Sequence, residues 1–238
     1  MSVSINGMKT LSSRLILVRA LISTALIATG LTMTGCKINF GSDGPKVTEK
    51  TTPDFAGITK LEVTSFNGDL NITTSENPGM TVIKRGKVEV KLERDGETMR
   101  IKAEALERNC MNCSADITLE VPKALNLKLE TGNGDVKAKD MLNLNAQSGN
   151  GDVTLEQITP AAGSESTVQT GNGDVIITGL NANDGLEITG STGNGSSEFK
   201  ATGYEVKTED NDFTAKKSGG NPAKLTLESG NGDVTVNP

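Results

Sequence analysis

The phrase Gly-Asn-Gly-Asp-Val recurs along the second half of the 238-residue sequence and constrains the possible folds more than any other feature. It is complete at four places, and a fifth copy has Ser196 in place of the aspartate. Successive copies are 17 to 22 residues apart, counting a degenerate copy around Asn211. Self-similarity at so short a period predicts a stacked repeat architecture. The central asparagines of the five clear copies are Asn133, Asn150, Asn172, Asn194 and Asn231.

Strand patterns flank each copy of the phrase. Leu125, Leu127 and Leu129 alternate with polar residues before the first copy, and Val136 and Ala138 alternate with lysines after it. A period of two places successive side chains on opposite faces of a strand. The chain has no Trp and only five Phe, so small aliphatic side chains have to fill the core, which suits thin stacked layers. We therefore predict an all-β domain.

Two arrangements of these strands agree with the pattern. Each turn can join two antiparallel strands, as in a β-meander, because Asn-Gly is a strong hairpin signal. Alternatively, each turn is a corner of a β-solenoid whose coils pair in parallel, with stacked asparagines forming an amide ladder. We favour the solenoid because a hydroxyl residue, suited to an inward column, stands two positions before the asparagine in six copies. These residues are Ser65, Thr131, Ser148, Thr170, Thr192 and Ser229.

The segment Val121–Val136 reads Val-Pro-Lys-Ala-Leu-Asn-Leu-Lys-Leu-Glu-Thr-Gly-Asn-Gly-Asp-Val. It resembles the core signature of the bacterial putative-adhesin β-strand-repeat family, a domain of unknown function. The segment Leu61–Ile72 is similar to the opening strand pair of that family. The resemblance covers residues 57–238 and implies a single right-handed β-solenoid-like domain in an exported, envelope-associated protein. It supplies no functional residues, and the Cys110–Cys113 loop is not part of the family pattern.

Residues 1–35 have the pattern of a bacterial export signal. Lys9, Arg14 and Arg19 come first, and an uncharged apolar stretch runs from Ala20 to Met33. This stretch is shorter than the roughly 20 residues that a membrane-spanning helix needs, so we predict a cleaved signal peptide.

The export signal ends in Met33-Thr34-Gly35-Cys36, which resembles the lipobox of bacterial lipoproteins. The resemblance implies cleavage before Cys36 and a lipid anchor on its sulfur, and buried acyl chains contribute about 0.8 kcal/mol per CH₂. Lys37 resembles an outer-membrane sorting residue. The polar residues 36–56 are predicted to be a flexible tether. An ordinary secretory peptide with an incidental Cys36 is the alternative.

Cys110 and Cys113 form a pair if Cys36 carries the lipid. An exported compartment is oxidising, so we predict a disulfide that staples a polar loop. A redox-active Cys-x-x-Cys pair is the alternative, although such chemistry needs a helix N-terminus and the region lacks a helical pattern. A zinc site would need about two more soft ligands, and the chain has no His.

The charge distribution argues against nucleic acid as a partner. The formal net charge is -6, and without residues 1–35, which carry three basic residues and no acid, it is -6 - 3 = -9. Binding to phosphates needs clustered Lys and Arg. The nearest basic cluster runs from Lys84 to Arg94 and is interleaved with Glu89, Glu93 and Asp95, so we interpret it as a solvated strand face.

No catalytic, cofactor-binding or metal-binding constellation stands out. There is no His, Tyr204 is the only tyrosine, and the aspartates are repeat elements, so nothing singles out a carboxylate pair for acid–base chemistry. Stacked coils would bring Asp135, Asp152 and Asp174 to a spacing of about 5 Å. We expect their carboxylates to accept hydrogen bonds from turn N–H groups, with shared Ca²⁺ as the alternative.

These patterns predict a non-catalytic lipoprotein of the cell envelope or cell surface, anchored to a membrane that we expect to be the outer one. Its repetitive outward strand faces suit binding or adhesion to a glycan, to peptidoglycan or to a protein. A structural envelope scaffold linked to envelope stress is the alternative, and a polysaccharide-active enzyme is less favoured.

Overall fold

The computed structural model describes residues 46–108, 110, 112–182 and 185–238. The predicted signal peptide, Cys36 and the first part of the predicted tether lie outside these ranges. Within them the regular elements are all strands. None of the described residues forms a helix with the length and hydropathy of a membrane span.

Nineteen strands make up two sheets in the described part of the chain. In chain order they are β1 (Lys46–Thr51), β2 (Lys60–Ser65), β3 (Leu70–Thr74), β4 (Gly79–Arg85), β5 (Val88–Asp95), β6 (Thr98–Ala105), β7 (Ser114–Val121), β8 (Asn126–Asn133), β9 (Val136–Lys139), β10 (Asn143–Asn150), β11 (Val153–Glu156), β12 (Glu165–Asn172), β13 (Val175–Thr178), β14 (Leu186–Asn194), β15 (Ser197–Phe199), β16 (Glu205–Glu209), β17 (Asp212–Lys217), β18 (Ala223–Asn231) and β19 (Val234–Asn237).

Seven coils cross from one sheet to the other through a corner. The nine-stranded sheet has the order β1-β4-β7-β3-β9-β11-β13-β19-β15, and the ten-stranded sheet has the order β16-β17-β14-β18-β12-β10-β8-β2-β6-β5. Neighbouring coils pair in parallel and in register, with Asn133 opposite Asn150 and Val136 opposite Val153. The predicted solenoid is therefore confirmed. Antiparallel pairs among the described strands occur at the two ends of the stack.

The core lies between the two sheets and consists of aliphatic side chains in aligned rows. Leu61, Leu127 and Leu144 stand opposite one another on β2, β8 and β10 and are buried. On the nine-stranded sheet, Val136 and Val153 form the matching row. Burying such a side chain contributes about 1.5–3 kcal/mol. The period-two pattern of the sequence thus marks the side chains that hold the sheets together.

The coils do not stack in the order of the sequence. The last segment of the chain, β18–β19, lies between β12–β13 and β14–β15. The other edge of β14 is covered by β17, which is the second strand of the hairpin β16–β17 and pairs antiparallel with β14. The interpretation of the segment around Asn211 as a solenoid corner is wrong. It forms the turn of this hairpin, and Asp210 has a φ of 51° there.

Strand β1 corrects the extent of the predicted tether. Residues Lys46–Thr51 pair antiparallel with β4 along their full length, although all six are exposed. Backbone hydrogen bonds to an edge strand, rather than buried side chains, hold this segment, so its composition resembles that of a linker.

Aromatic side chains close the far end of the stack. The rings of Phe199 and Tyr204 are 5.0 Å apart between centroids, and those of Phe199 and Phe213 are 5.5 Å apart. Phe213 is buried, while Phe199 and Tyr204 are half-buried. A terminal coil has no further coil to cover it, and this cluster supplies the cap that a solenoid needs.

Candidate functional site

The asparagines of the repeat form a continuous amide ladder along the corner. Each Nδ2 donates to the Oδ1 of the asparagine in the preceding coil, at 2.7 Å from Asn150 to Asn133 and from Asn172 to Asn150. The ladder continues at 2.8 Å from Asn231 to Asn172 and ends at 2.7 Å from Asn194 to Asn231. These side chains are engaged with one another, which assigns them to the corner structure.

A column of buried hydroxyl groups runs beside the ladder. Thr131 Oγ1 donates to the carbonyl oxygen of Gly68 at 2.9 Å, and Ser148 Oγ donates to that of Gly134 at 2.8 Å. Thr170, Ser229 and Thr192 repeat this bond at 2.7–2.8 Å. Each hydroxyl satisfies a glycine carbonyl that the corner leaves unpaired inside the protein, where an unmade bond would cost about 1–3 kcal/mol.

The aspartates of the repeat bind backbone N–H groups. Oδ1 of Asp135 accepts from the N–H of Asp152 at 3.0 Å, and Oδ1 of Asp152 accepts from that of Asp174 at 2.8 Å. At the end of the column, the N–H and the hydroxyl of Ser196 both donate to Asp233 Oδ1. These two bonds hold the pKa of Asp233 below its usual value. Within the described residues, no group of three or more acidic, Cys or His side chains is placed to hold a metal ion.

The two glycines of each copy stand where neighbouring corners come closest. A Cβ on Gly149 would lie 2.5 Å from the carbonyl oxygen of Gly132, and one on Gly171 would lie 2.5 Å from that of Gly149. The second glycine also has a positive φ, 146° at Gly134. The asparagine between them belongs to the preceding strand. Glycine is therefore required by close stacking as well as by backbone conformation.

The Cys110–Cys113 loop occupies the first corner of the stack. The structure joins the two residues by a disulfide, with Cα atoms 5.4 Å apart, and buries Cys113 completely. The carbonyl oxygen of Cys113 accepts from Asn67 Nδ2 at 2.9 Å, and Asp116 Oδ1 accepts from the N–H of Asp69 at 3.3 Å. Through these bonds the first corner supplies hydrogen-bond acceptors to the neighbouring coil of β2 and β3, a role that the family pattern did not indicate.

A groove crosses the outward face of the nine-stranded sheet. Its volume is about 280 Å³, and it spans β7, β3, β9 and β11. A second depression, over β1 and β4, continues it and shares Thr118 and Glu120. We call the lining of the first depression the nine-strand groove. Its outward side chains are Asn71, Thr73, Thr118, Glu120, Lys137, Lys139, Thr154 and Glu156.

The charged side chains of the nine-strand groove are held only loosely. Lys139 lies 3.4 Å from Glu156, and Lys137 lies 3.8 Å from Asp135. Exposed pairs of this kind contribute about 0–1 kcal/mol. A bound molecule can therefore take over these groups at little cost. Sequence reasoning did not single out this set, because its members come from four strands and share no motif.

The outward face of the ten-stranded sheet has tighter ion pairs. Lys128 contacts Glu130 at 2.7 Å, and Lys60 contacts Glu62 at 2.6 Å. Hydrogen bonds from Lys60, opposed by partial burial and supported by Arg100, hold the pKa of Glu62 below its usual value. Beside this face, Lys87 in the connection from β4 to β5 pairs at 2.5 Å with Glu107, which follows β6. The basic residues of this surface are largely matched by acids.

Solved structures similar to this chain include a putative cell adhesion protein from Clostridium sporogenes ATCC 15579. It is 20% identical with a TM-score of 0.64, and the match covers 81% of this chain and 99% of that chain. A putative adhesin from Bacteroides fragilis NCTC 9343 is 13% identical with a TM-score of 0.32, covering 81% of this chain and 97% of that one. No curated protein matches this chain in sequence. The likeness to the Clostridium protein shows the fold.

The model of the Toastrack DUF4097 family, a domain of unknown function, matches residues 58–237, which is 180 of the 238 residues. The resemblance to a putative-adhesin repeat family is thereby confirmed. The chain belongs to the Toastrack DUF4097 family.

Proposed function

We propose that the protein is a non-catalytic binding module of the cell envelope that holds a glycan chain in the nine-strand groove. Lipid on Cys36 anchors it to the outer membrane, and residues 37–45 connect the anchor to β1. The observation that carries the proposal is the groove itself, a polar depression across four strands whose charged groups are only loosely paired.

The chemistry of the groove suits a polyhydroxylated ligand that carries both acidic and basic substituents. Thr73, Thr118 and Thr154 offer hydroxyl groups that donate and accept, and Asn71 offers an amide. Lys139 and Glu120 add one charge of each sign. A peptidoglycan strand, with its sugar hydroxyls, carboxylates and amines, has the complementary groups.

The rigidity of the corner supports the same assignment. The asparagine, hydroxyl and aspartate columns are engaged in bonds between coils, so they are poor candidates for ligand contacts. The outward strand residues vary from coil to coil on a fixed frame. A frame of this kind presents weak contacts along an extended ligand, and their sum provides avidity.

Binding is tested by sedimentation of residues 37–238 with purified peptidoglycan sacculi. The variant Thr118→Arg/Thr154→Arg fills the groove with two long side chains. The matched control, Thr167→Arg/Thr226→Arg, adds the same charge to outward positions of the ten-stranded sheet. We expect the groove variant to bind at least about tenfold more weakly, a loss of ~1.4 kcal/mol, with the control unchanged.

Two results would contradict the proposal. Equal binding by the groove variant and the wild type would place the contact elsewhere. Absence of binding to sacculi by the wild-type protein would contradict the proposal that it binds a glycan. A chromosomal deletion that weakens the envelope barrier without causing an adhesion defect would favour a scaffolding role instead.

A further inference from the structure

The last coil of the chain is a wedge between two blocks of the molecule. We call β18–β19 the wedge, β1–β13 the first block and β14–β17 the second block. The wedge pairs with β12 and β13 on one side and with β14 and β15 on the other. Among the described strands, every sheet pairing between the blocks runs through the wedge. Withdrawing it would leave four unpaired strand edges, those of β12 and β13 on one side of a slot and those of β14 and β15 on the other.

The contacts of the wedge use positions that all coils share. Leu225, Leu227 and Val234 point into the core and are 2% exposed or less. Asn231 donates to Asn172 on the first block and accepts from Asn194 on the second. None of these contacts depends on the covalent connection before β18. The same coil from another copy would make them equally well.

The connection that leads into the wedge is exposed and contains two adjacent glycines, and a backbone bond from the Gly163 N–H to the Asn221 carbonyl oxygen, at 3.1 Å, attaches it to the first block. Residues Ser218, Gly219, Gly220, Asn221 and Pro222 are all exposed. Two adjacent glycines allow the backbone to leave β17 in more than one direction. The wedge follows both blocks in the sequence, so the slot between them stays open until β18–β19 has been delivered. A neighbouring copy can fill it during that interval.

We propose that the slot between the blocks accepts the wedge of a second copy of this chain, so that neighbouring molecules exchange C-terminal coils. The exchanged pair contains the same strand pairings as the monomer, which makes domain swapping a low-cost route to dimers. Mass action favours it when copies are crowded. Exchange would link copies side by side, a self-association separate from ligand binding in the nine-strand groove.

A disulfide between a cysteine on the wedge and a cysteine on the second block shows which copy supplies the wedge. Thr226 on the wedge stands opposite Thr189 of the second block, with both side chains on the outward face. Paired strands are about 4.8 Å apart, within the Cα range of roughly 4.4–6.8 Å that a disulfide spans. Thr189→Cys and Thr226→Cys are placed in separate chains of residues 37–238, which lack Cys36. The two chains are unfolded together, refolded, oxidised and separated without reductant.

The control mixture contains one chain with Lys128→Cys and another with Asn145→Cys. These two positions are directly opposed on β8 and β10. These strands belong to consecutive coils within the first block. We expect at least about tenfold more crosslinked dimer from the wedge mixture than from the control, rising with protein concentration. A single chain carrying both Thr189→Cys and Thr226→Cys checks the fold and register, since its bridge forms within the monomer when dilute.

The outcomes are decisive in both directions. Dimer in the wedge mixture alone supports exchange. Absence of dimer there, while the doubly substituted chain forms its internal bridge, overturns it. Equal dimer in both mixtures also overturns it, because the crosslinks would then report non-specific association.

Discussion

The side-chain amide of Asn231 donates a 2.8 Å hydrogen bond to the side-chain oxygen of Asn172, although 59 positions separate the two residues. The bond joins β18 to β12. The coil that comes between them in sequence, β14–β15, does not lie between them in the stack. The ladder therefore follows the order of the stack, and its central members have amide neighbours on both sides.

Asn172 and Asn194 differ in the number of ladder bonds they make. Asn172→Ala removes one bond to Asn150 and one from Asn231, whereas Asn194→Ala removes only the bond to Asn231. At a net value of about 0.5–1.5 kcal/mol for each bond, we expect the first change to lower the free energy of unfolding about twice as much. Urea unfolding measures both. Equal losses would show that the ladder bonds do not act individually.

Close stacking makes the glycines of the corner sensitive to a single added carbon. Gly171→Ala would bring a Cβ to 2.5 Å from the carbonyl oxygen of Gly149, and no side-chain rearrangement can relieve a contact with backbone. We expect a loss of about 1–3 kcal/mol or more, as for other overpacked sites. Gly220→Ala is the control, since nothing lies within 4 Å of its Cβ position. In thermal unfolding, the melting temperature of the control should stay close to that of the wild type.

The bonds from Ser196 make stability depend on the ionisation of Asp233. Its pKa is lowered in the folded state, so its contribution is present above the ordinary pKa of an aspartate and is lost as the pH falls through the lowered value. Asp233→Asn keeps an acceptor oxygen but cannot titrate. We expect the melting temperature of this variant to fall less on acidification than that of the wild type. Asp212→Asn, outside the corner column, should follow the wild type; the same acid response in all three proteins would contradict the assignment.

Burial of Cys113 predicts an inert disulfide with a structural role. Thiol labelling of the folded protein should detect neither Cys110 nor Cys113 until it is unfolded in reductant. Closing so short a loop is worth about 2 kcal/mol in the chain-entropy model, so Cys110→Ser/Cys113→Ser should lower the melting temperature. Rapid reduction of the folded protein by a mild dithiol would instead indicate a redox-active pair.

Cys36 is the residue on which membrane attachment is predicted to depend. Cys36→Ser should abolish incorporation of radiolabelled palmitate into the protein, because the acyl chains would have no sulfur to join. Cys110→Ser/Cys113→Ser is the matched control and should incorporate the label as the wild type does. Immunoprecipitation followed by autoradiography measures both. Undiminished labelling of the Cys36→Ser variant would refute lipid anchoring at this position.

The corners could be predicted from the sequence because their chemistry repeats at fixed positions. Glycine at Gly132, asparagine at Asn133 and a hydroxyl at Thr131 each have one role, and the role is visible in every clear copy. The first corner escaped notice because Ala115 stands where the other coils have glycine. The turns that directly follow β9 and β11 are equally hidden, since Asp140 and Gln157 adopt positive φ values of 61° and 54° there without glycine.

The order of the coils could not be predicted, for a related physical reason. Leu186 and Ile188 of β14 are as well suited as Leu225 and Leu227 of β18 to pack beside β12. Interchangeable repeats leave the choice of neighbour to the hairpin β16–β17, which occupies one edge of β14. The nine-strand groove was also invisible, because residues distant in sequence meet there only once the stacking is known.

The aromatic cap gives the molecule a built-in optical label at one end. The chain has a single tyrosine and no tryptophan, and Tyr204 lies against Phe199 beyond the last coil. Tyrosine emission from this protein therefore reports on that end alone. The disulfide of Cys110 and Cys113 marks the opposite end, and its thiols become available for labelling only when that end opens in the presence of a reductant. Comparing the change in tyrosine emission with the rate of thiol labelling during unfolding shows which end of the stack unfolds first.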